Sequence, residues 1–239
     1  GERGLRQSEA FFQHVQKLPD AIQKALSDFA IRDNIGAISF STRPRPIEGS
    51  YMPVFTAGAG YGKAIAAAMG VPYYEFSHQE GHIEAIRFYS SLKHVNPLIC
   101  FHFSGGTTEA LLMDDEKGIF EIVGGSKDIA YGQVLDRVGV SLGLDFPCGE
   151  ALDQMAVRAI GHRDILTPIK TREGYVNLSG IETQCGKALE QHPQMELIED
   201  LFEKLSRSIL EMTMQLSYQY DITNFIYAGG VSCSQYMRN

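Results

Sequence analysis

From Pro97 to Gly125 the chain reads as three strands in succession. "PLICFHFS" (97–104) is the first, a Gly-Gly turn joins it to "TTEALLMD" (107–114), and "GIFEIVGG" (118–125) pairs with the second as a hairpin. Around this meander, strand and helix patterns alternate. That combination indicates an α/β protein and excludes an all-helical bundle or an all-β sandwich.

On the N-terminal side, residues 8–30 read as a helix, with Phe11, Phe12, Val15, Leu18, Ile22, Ala25, Leu26 and Phe29 at helical spacing. Pro19 is expected to bend or split it. "IGAISF" (35–40) is a short strand, 41–50 a proline- and glycine-marked loop, 53–70 a small-residue helix ended by Gly70, and 71–77 a strand. Beyond the meander, helices are expected over 128–143 and 149–161, irregular chain with a helical end over 164–192, a long amphipathic helix over 195–220 and a strand over 224–230. The break at 92–97 is the natural boundary between an N-terminal lobe, 1–95, and a C-terminal lobe, 96–239. Both ends read as cut, the opening running from loop into helix and the close entering a new helix.

With 44% hydrophobic and 21% charged residues, the chain can bury a sizeable core. Its net charge of -8 argues against a free-standing nucleic-acid binder. Basic residues gather only in small groups, Arg3/Arg6 and Arg43/Arg45, so phosphate attraction for any nucleic-acid substrate is expected from a partner chain. The four cysteines, Cys100, Cys148, Cys185 and Cys233, form no CxxC, which reads as reduced thiols in the cytoplasm. No apolar run reaches the ~18 residues of a membrane span, and no signal peptide is evident.

Several short stretches could carry chemistry. In "SHQEGH" (77–82), Ser77 after a strand is a good N-cap and Glu80 completes a capping box. His78 and His82, at i and i+4, then share one helix face and could hold a divalent metal; Gln79 stands where an HExxH motif needs its glutamate. Equally, the stretch reads as a capped helix bearing two imidazoles. Three glycine pairs, at 105–106, 124–125 and 229–230, could let a phosphate approach the backbone, or could simply be turns. Asp136 could accept two hydrogen bonds from a ribose or lie on a solvated helix face. Glu150 and Asp153 charge the first turn of the following helix favourably. His102 alternates with Phe101 and Phe103, so it shares a strand face with Ser104.

Taken in order, these pieces resemble the TsaD/Gcp family of tRNA threonylcarbamoyltransferases, formerly known as O-sialoglycoprotein endopeptidases or glycoproteases. The family's H-M-E-G-H corresponds to 78–82, its S-G-G-H-T to 104–108, its S-x-D-D-A-A-G-E-A-F-D-K to 126–137, its L-G-L-x-Y-P-G-G to 142–149, its S-G-L-K-T to 179–183 and its G-G-V-x-x-N to 229–234. The resemblance implies the actin/Hsp70-like ATPase fold (ASKHA), two lobes with a nucleotide between them. It implies that His78 and His82, with His102 as a further ligand, bind iron or zinc, and that Ser104, Gly105, Gly106, Thr107, Asp136, Gly149, Gly230 and Ser234 line a pocket for ATP or a carbamoyl-adenylate. Glu80 and Thr107 are the implied catalytic positions. Implied partners are tRNA, reached through a complex, a paralogous subunit of the same fold, and a small ATPase.

Departures are clear as well. Thr107 stands for the family's histidine, Ile129 for its second aspartate, Gln133 for a glutamate and Ser234 for an asparagine, and "RPRPIEGSYMP" replaces a glycine-rich loop. The family's opening strand and the C-terminal segment with its metal-binding aspartate are absent. These changes suggest a divergent paralogue. The implied reaction is transfer of a threonylcarbamoyl or carbamoyl group from an adenylate to a tRNA adenosine, metal-assisted. The alternatives are a non-catalytic nucleotide-binding scaffold and a glycoprotease-type metallopeptidase.

Overall fold

The computed structural model describes residues 7–28, 34–161 and 163–239. The basic pair Arg3/Arg6 and Phe29 lie outside the described residues. By its internal contacts the chain divides into two units, one ending at Tyr89 and the other beginning at Ser90.

The first unit contains α1 (Gln7–Asp28), β1 (Ile38–Arg43), α2 (Val54–Met69), β2 (Tyr73–Ser77) and α3 (His78–Phe88). β1 and β2 pair in parallel from Ile38↔Tyr73 to Arg43↔Ser77. α2 lies close on this sheet, because Gly62 has no side chain: a Cβ there would stand 2.2 Å from the Phe40 ring. Two expectations need correcting. Pro19 does not split α1, which runs through it unbroken. Proline removes the N–H that should reach the carbonyl of Val15; the Tyr61 hydroxyl on α2 donates to that carbonyl instead, at 3.0 Å. The strand expected at 35–40 lies at Ile38–Arg43, because pairing with β2 carries the polar Ser41 and Arg43 into the sheet.

The second unit is built on β3 (Leu98–Phe103), β4 (Thr108–Asp114), β5 (Ile119–Ser126), β6 (Thr171–Arg172), β7 (Tyr175–Val176) and β8 (Phe225–Ala228). They form one mixed sheet in the order β6-β7-β5-β4-β3-β8. β3–β4–β5 is the antiparallel meander read from the sequence, and β8 joins β3 in parallel. Its helices are α4 (Tyr131–Ser141), α5 (Gly149–Arg158), α6 (Ser179–Ala188), α7 (Gln194–Tyr220) and the short α8 (Gln235–Arg238). Within 164–192 the expected helical end is α6, and the stretch before it, expected to be irregular, holds the β6–β7 hairpin. α4 begins three residues later than expected, because Asp128 turns the chain by accepting from the Ser126 hydroxyl and the Ile129 N–H.

The core lies between this sheet and its helices. Leu98, Ile99, Cys100, Phe101 and Phe103 of β3 are all buried. The Phe101 ring stacks on Phe103 at 5.3 Å and on Tyr227 at 5.5 Å, offset geometry that adds to the burial of each ring. α7 is fastened along its length. Buried Asp200 accepts from the Ile165 and Leu166 N–H groups and pairs with Lys204, which also meets Asp164. Ser208 bonds the Tyr131 hydroxyl of α4 at 2.6 Å. Gln215 accepts from the Gly174 N–H and donates to Thr171 in the β6–β7 hairpin. All four cysteines are free. Among the described residues no helix is long and apolar enough to cross a membrane.

Phe101→Ala is expected to destabilise the second unit by about 3–5 kcal/mol, and Tyr131→Phe by about 1 kcal/mol, since only one hydrogen bond is lost while the ring stays packed. Urea unfolding followed by circular dichroism measures both.

Candidate functional site

α3 opens as its sequence requires. The Ser77 hydroxyl accepts from the Glu80 N–H at 3.1 Å, and the Glu80 carboxylate accepts from the Ser77 N–H. Arg43 stands 3.8 Å from the same carboxylate. Glu80 therefore holds the helix start. α3 buries Gln79, Ile83 and Arg87, four residues apart, which leaves His78 and His82 on its exposed flank. Their Nε2 atoms are 2.9 Å apart. Two imidazole nitrogens at about 2.1 Å from one tetrahedral ion would stand about 3.4 Å apart. The pair, now at hydrogen-bond distance, therefore offers two donors to a divalent metal only once the rings part by about 0.5 Å. Burial first, and the His82 charge second, push the His78 pKa below its usual 6.5, which favours the neutral form a metal requires. His102 falls in the other unit, half-buried on β3 opposite Glu109 and Ala228. Among the described residues, no three His, Cys, Asp or Glu side chains gather into a metal cluster.

In the second unit, residues far apart in sequence converge on a cleft of about 520 Å³. Gly105, Asp136, Gly149, Gly230 and Ser234, all singled out from the sequence, line it. The glycine turn itself is closed by reciprocal bonds. Ser104 N–H donates to the Thr107 carbonyl at 2.8 Å, and the Ser104 hydroxyl accepts from the Gly106 and Thr107 N–H groups at 3.3 and 3.0 Å. Two of the donors expected to cradle phosphate are therefore engaged within the turn. A Cβ at Gly105, Gly106, Gly149 or Gly230 would meet nothing within 4 Å, so at these places the backbone faces open space.

α4 sets this arrangement. The Tyr131 N–H donates to the Thr108 hydroxyl at 3.1 Å, and the Gln133 side chain accepts from the Ala130 N–H at 2.9 Å. At Gly132 the helix abuts the serine turn: a Cβ there would stand 2.6 Å from the Ser104 carbonyl oxygen and from Gly105 Cα. Asp136, four residues on, faces the same side. Its carboxylate is not solvated as a bare helix face would be, because it accepts from the Cys148 N–H at 2.9 Å and so fixes the turn that leads into α5. Cys148 itself gives α5 no side-chain cap; the Asp136 carboxylate on the Cys148 N–H and Glu150 in the first turn already set negative charge at this helix start.

Sequence reasoning missed three structural roles. Gly132 is marked only by being a glycine inside a helix. Asp153 does not charge a first turn: it accepts from the Ser234 hydroxyl at 2.5 Å and from the Gln235 and Tyr236 N–H groups at 2.8 and 3.1 Å, capping α8. Asp128 reaches 50 residues ahead to the Leu178 and Ser179 N–H groups, at 2.8 and 3.0 Å, and so caps α6. Partial burial pushes the Asp128 pKa up, but these backbone bonds outweigh it and hold the carboxyl well below its usual 3.8.

The profile of the family described as "TsaD: tRNA N6-adenosine threonylcarbamoyltransferase" matches residues 4–239. A tRNA N6-adenosine threonylcarbamoyltransferase of Enterococcus faecalis is 27% identical over 234 residues, covering 94% of this chain and 65% of the relative. One of Caldicellulosiruptor saccharolyticus is 29% identical over 235 residues, covering 95% and 68%. The chain thus spans about two thirds of the length of these curated relatives. Among solved structures, HypF of T. kodakarensis superposes with a TM-score of 0.66 at 12% identity, covering 93% of this chain and 38% of HypF. A full-length HypF in a phosphate- and nucleotide-bound form gives 0.64 at 10% identity, covering 92% and 43%. At such identities the likeness speaks for the fold alone, and that fold is the α/β actin/Hsp70-like ATPase class.

The Asp128 bonds carry a pH signature. Because the folded carboxyl titrates below 3.8, its contribution is fully present above that pH and is lost as pH falls through the folded value. Asp128→Asn is expected to lower the urea midpoint at pH 7, and the gap to the wild type is expected to narrow below about pH 4.

Proposed function

The chain belongs to the TsaD family, the tRNA N6-adenosine threonylcarbamoyltransferases, and from that premise we propose that it transfers a threonylcarbamoyl group from an adenylate to a tRNA adenosine. The observation that carries this reading is the convergence of Gly105, Asp136, Gly149, Gly230 and Ser234 on one cleft. In this proposal the adenylate phosphate lies over the open backbone at Gly105, and Asp136 accepts from ribose hydroxyls with its remaining lone pairs. Thr107 closes the turn that presents Gly105. The adenosine N6 amine attacks the carbonyl carbon. A C–N bond forms, the bond from that carbon to the phosphate oxygen breaks, AMP leaves with the electron pair, and one amine proton passes to water.

His78 and His82 would hold a divalent iron or zinc ion, which when bound supplies Lewis-acid polarisation of a carbonyl or phosphate oxygen. Glu80 serves the pair by fixing the helix that bears it; with its carboxylate taken by the cap, the peptidase reading draws no support from this residue. The chain's acidity favours reaching tRNA through a complex, with a paralogous subunit of the same fold and a small ATPase as partners, in the cytoplasm.

One observation favours a second reading, a nucleotide-binding scaffold without activity. The Asp136 carboxylate and the Ser234 hydroxyl already bond within the protein. Turnover separates the two: the intact protein in its complex, given threonylcarbamoyl-adenylate and tRNA, is expected to yield modified adenosine by nucleoside mass spectrometry. Binding of a fluorescent ATP analogue with no product would leave the scaffold.

Further outcomes are expected. Gly105→Val and Gly230→Val should keep the wild-type urea midpoint, since their side chains enter open space, yet bind the ATP analogue at least about tenfold more weakly, the effect of a side chain filling a ligand's place. Elemental mass spectrometry should find iron or zinc in the intact protein, lost in both His78→Ala and His82→Ala; an unchanged metal content in these variants would remove the histidine pair from the proposal.

A further inference from the structure

Beside the cleft lies a second recess of about 620 Å³, which shares Gly105 and Asp136 with it. Its own walls are Gln133, Arg137, Val140 and Ser141, on successive turns of α4, and Phe146 from the turn before α5. Phe146 is 74% exposed and Val140 54%. They form an apolar pair left uncovered at the mouth of a polar cleft. Arg137 pairs with Glu182 of α6 at 3.0 Å, its side chain half exposed.

The inference rests on the proposed transfer, which needs a place for two reactants. The cleft with the open glycines suits the phosphate-bearing one. We propose that the recess receives the other, the unstacked purine of the acceptor strand, with its face on the Phe146 ring and an adjoining backbone phosphate near Arg137. Continuity supports this assignment: a base seated there borders Gly105, where the adenylate phosphate is placed, so its exocyclic amine lies beside the acyl–phosphate bond. Chemistry supports it too. Single-stranded bases are recognised by stacking on exposed aromatic rings with a cation at the backbone. A guanidinium has five N–H donors, so Arg137 can keep Glu182 and still donate to a phosphate. Arg137 and the exposed Phe146 ring line the same recess, a pairing of cation and aromatic surface that suits a nucleotide.

The test uses the intact protein in its complex and an RNA hairpin carrying 2-aminopurine at the acceptor position, whose fluorescence is quenched by stacking. Phe146→Ala, which removes an exposed side chain, is expected to weaken hairpin binding about tenfold, to abolish the quench, and to leave the affinity for the fluorescent ATP analogue unchanged; Phe146→Tyr should restore the quench. An unaltered quench in Phe146→Ala would overturn the inference. So would a loss of ATP-analogue affinity with hairpin binding intact, which would give the recess to the adenylate's own base. The readout needs no turnover, so the two proposals fail separately. Stacking without product would sink the transfer reading and keep the recess, whereas product with no change in Phe146→Ala would do the reverse.

Discussion

The close approach of α4 to the turn between β3 and β4 governs the second unit. Helix and turn meet at Gly132, where a methyl group would strike the Ser104 carbonyl and Gly105. Because the contact is backbone to backbone, little adjustment is available. The helical period then places the other side chains of α4. Asp136 is carried to the side facing Gly105, and Gln133, Arg137 and Val140 line the neighbouring flank. Asp136 in turn bonds the Cys148 N–H, which fixes the start of α5. The cleft and the recess beside it are thus two sides of one helix, set by one missing side chain.

Electrostatics within the unit are mostly local and structural. Asp128, Asp153 and Asp200 each commit their oxygens to backbone N–H groups of distant segments. At Asp128 and Asp153 such bonds satisfy donors at the starts of α6 and α8; at Asp200 they hold the irregular segment at Ile165 and Leu166. They also explain how Asp200 is tolerated at 0% exposure, with Lys204 supplying the countercharge. Asp136 bonds the protein with one oxygen, and both it and Asp153 line the cleft.

Much of this was legible in the sequence. The meander, the capping box at Ser77 and Glu80, and the long apolar face of α7 are local patterns, and local patterns survive folding. The cleft residues were legible as glycine turns and a lone carboxylate, and the family resemblance put them in order. The features that escaped were non-local. Strands of two residues, such as β6 and β7, have no period to detect. α1 runs through Pro19 because a tyrosine on another helix donates to the carbonyl that proline abandons. The capping roles of Asp128, seen only as a motif position, and of Asp153, read as charging a first turn, escaped because their partners lie 50 and 81 residues further on.

α7 has a mechanical consequence. It is riveted at Asp200 and Lys204 to the 164–166 segment, at Ser208 to α4, and at Gln215 to the β6–β7 hairpin. From the first rivet to the last is about 22 Å of helix at about 1.5 Å per residue. A rod fixed at three places along its length neither slides by a turn nor rolls on its axis without breaking a buried bond. It acts as a spar that ties α4 to the β6–β7 edge of the sheet.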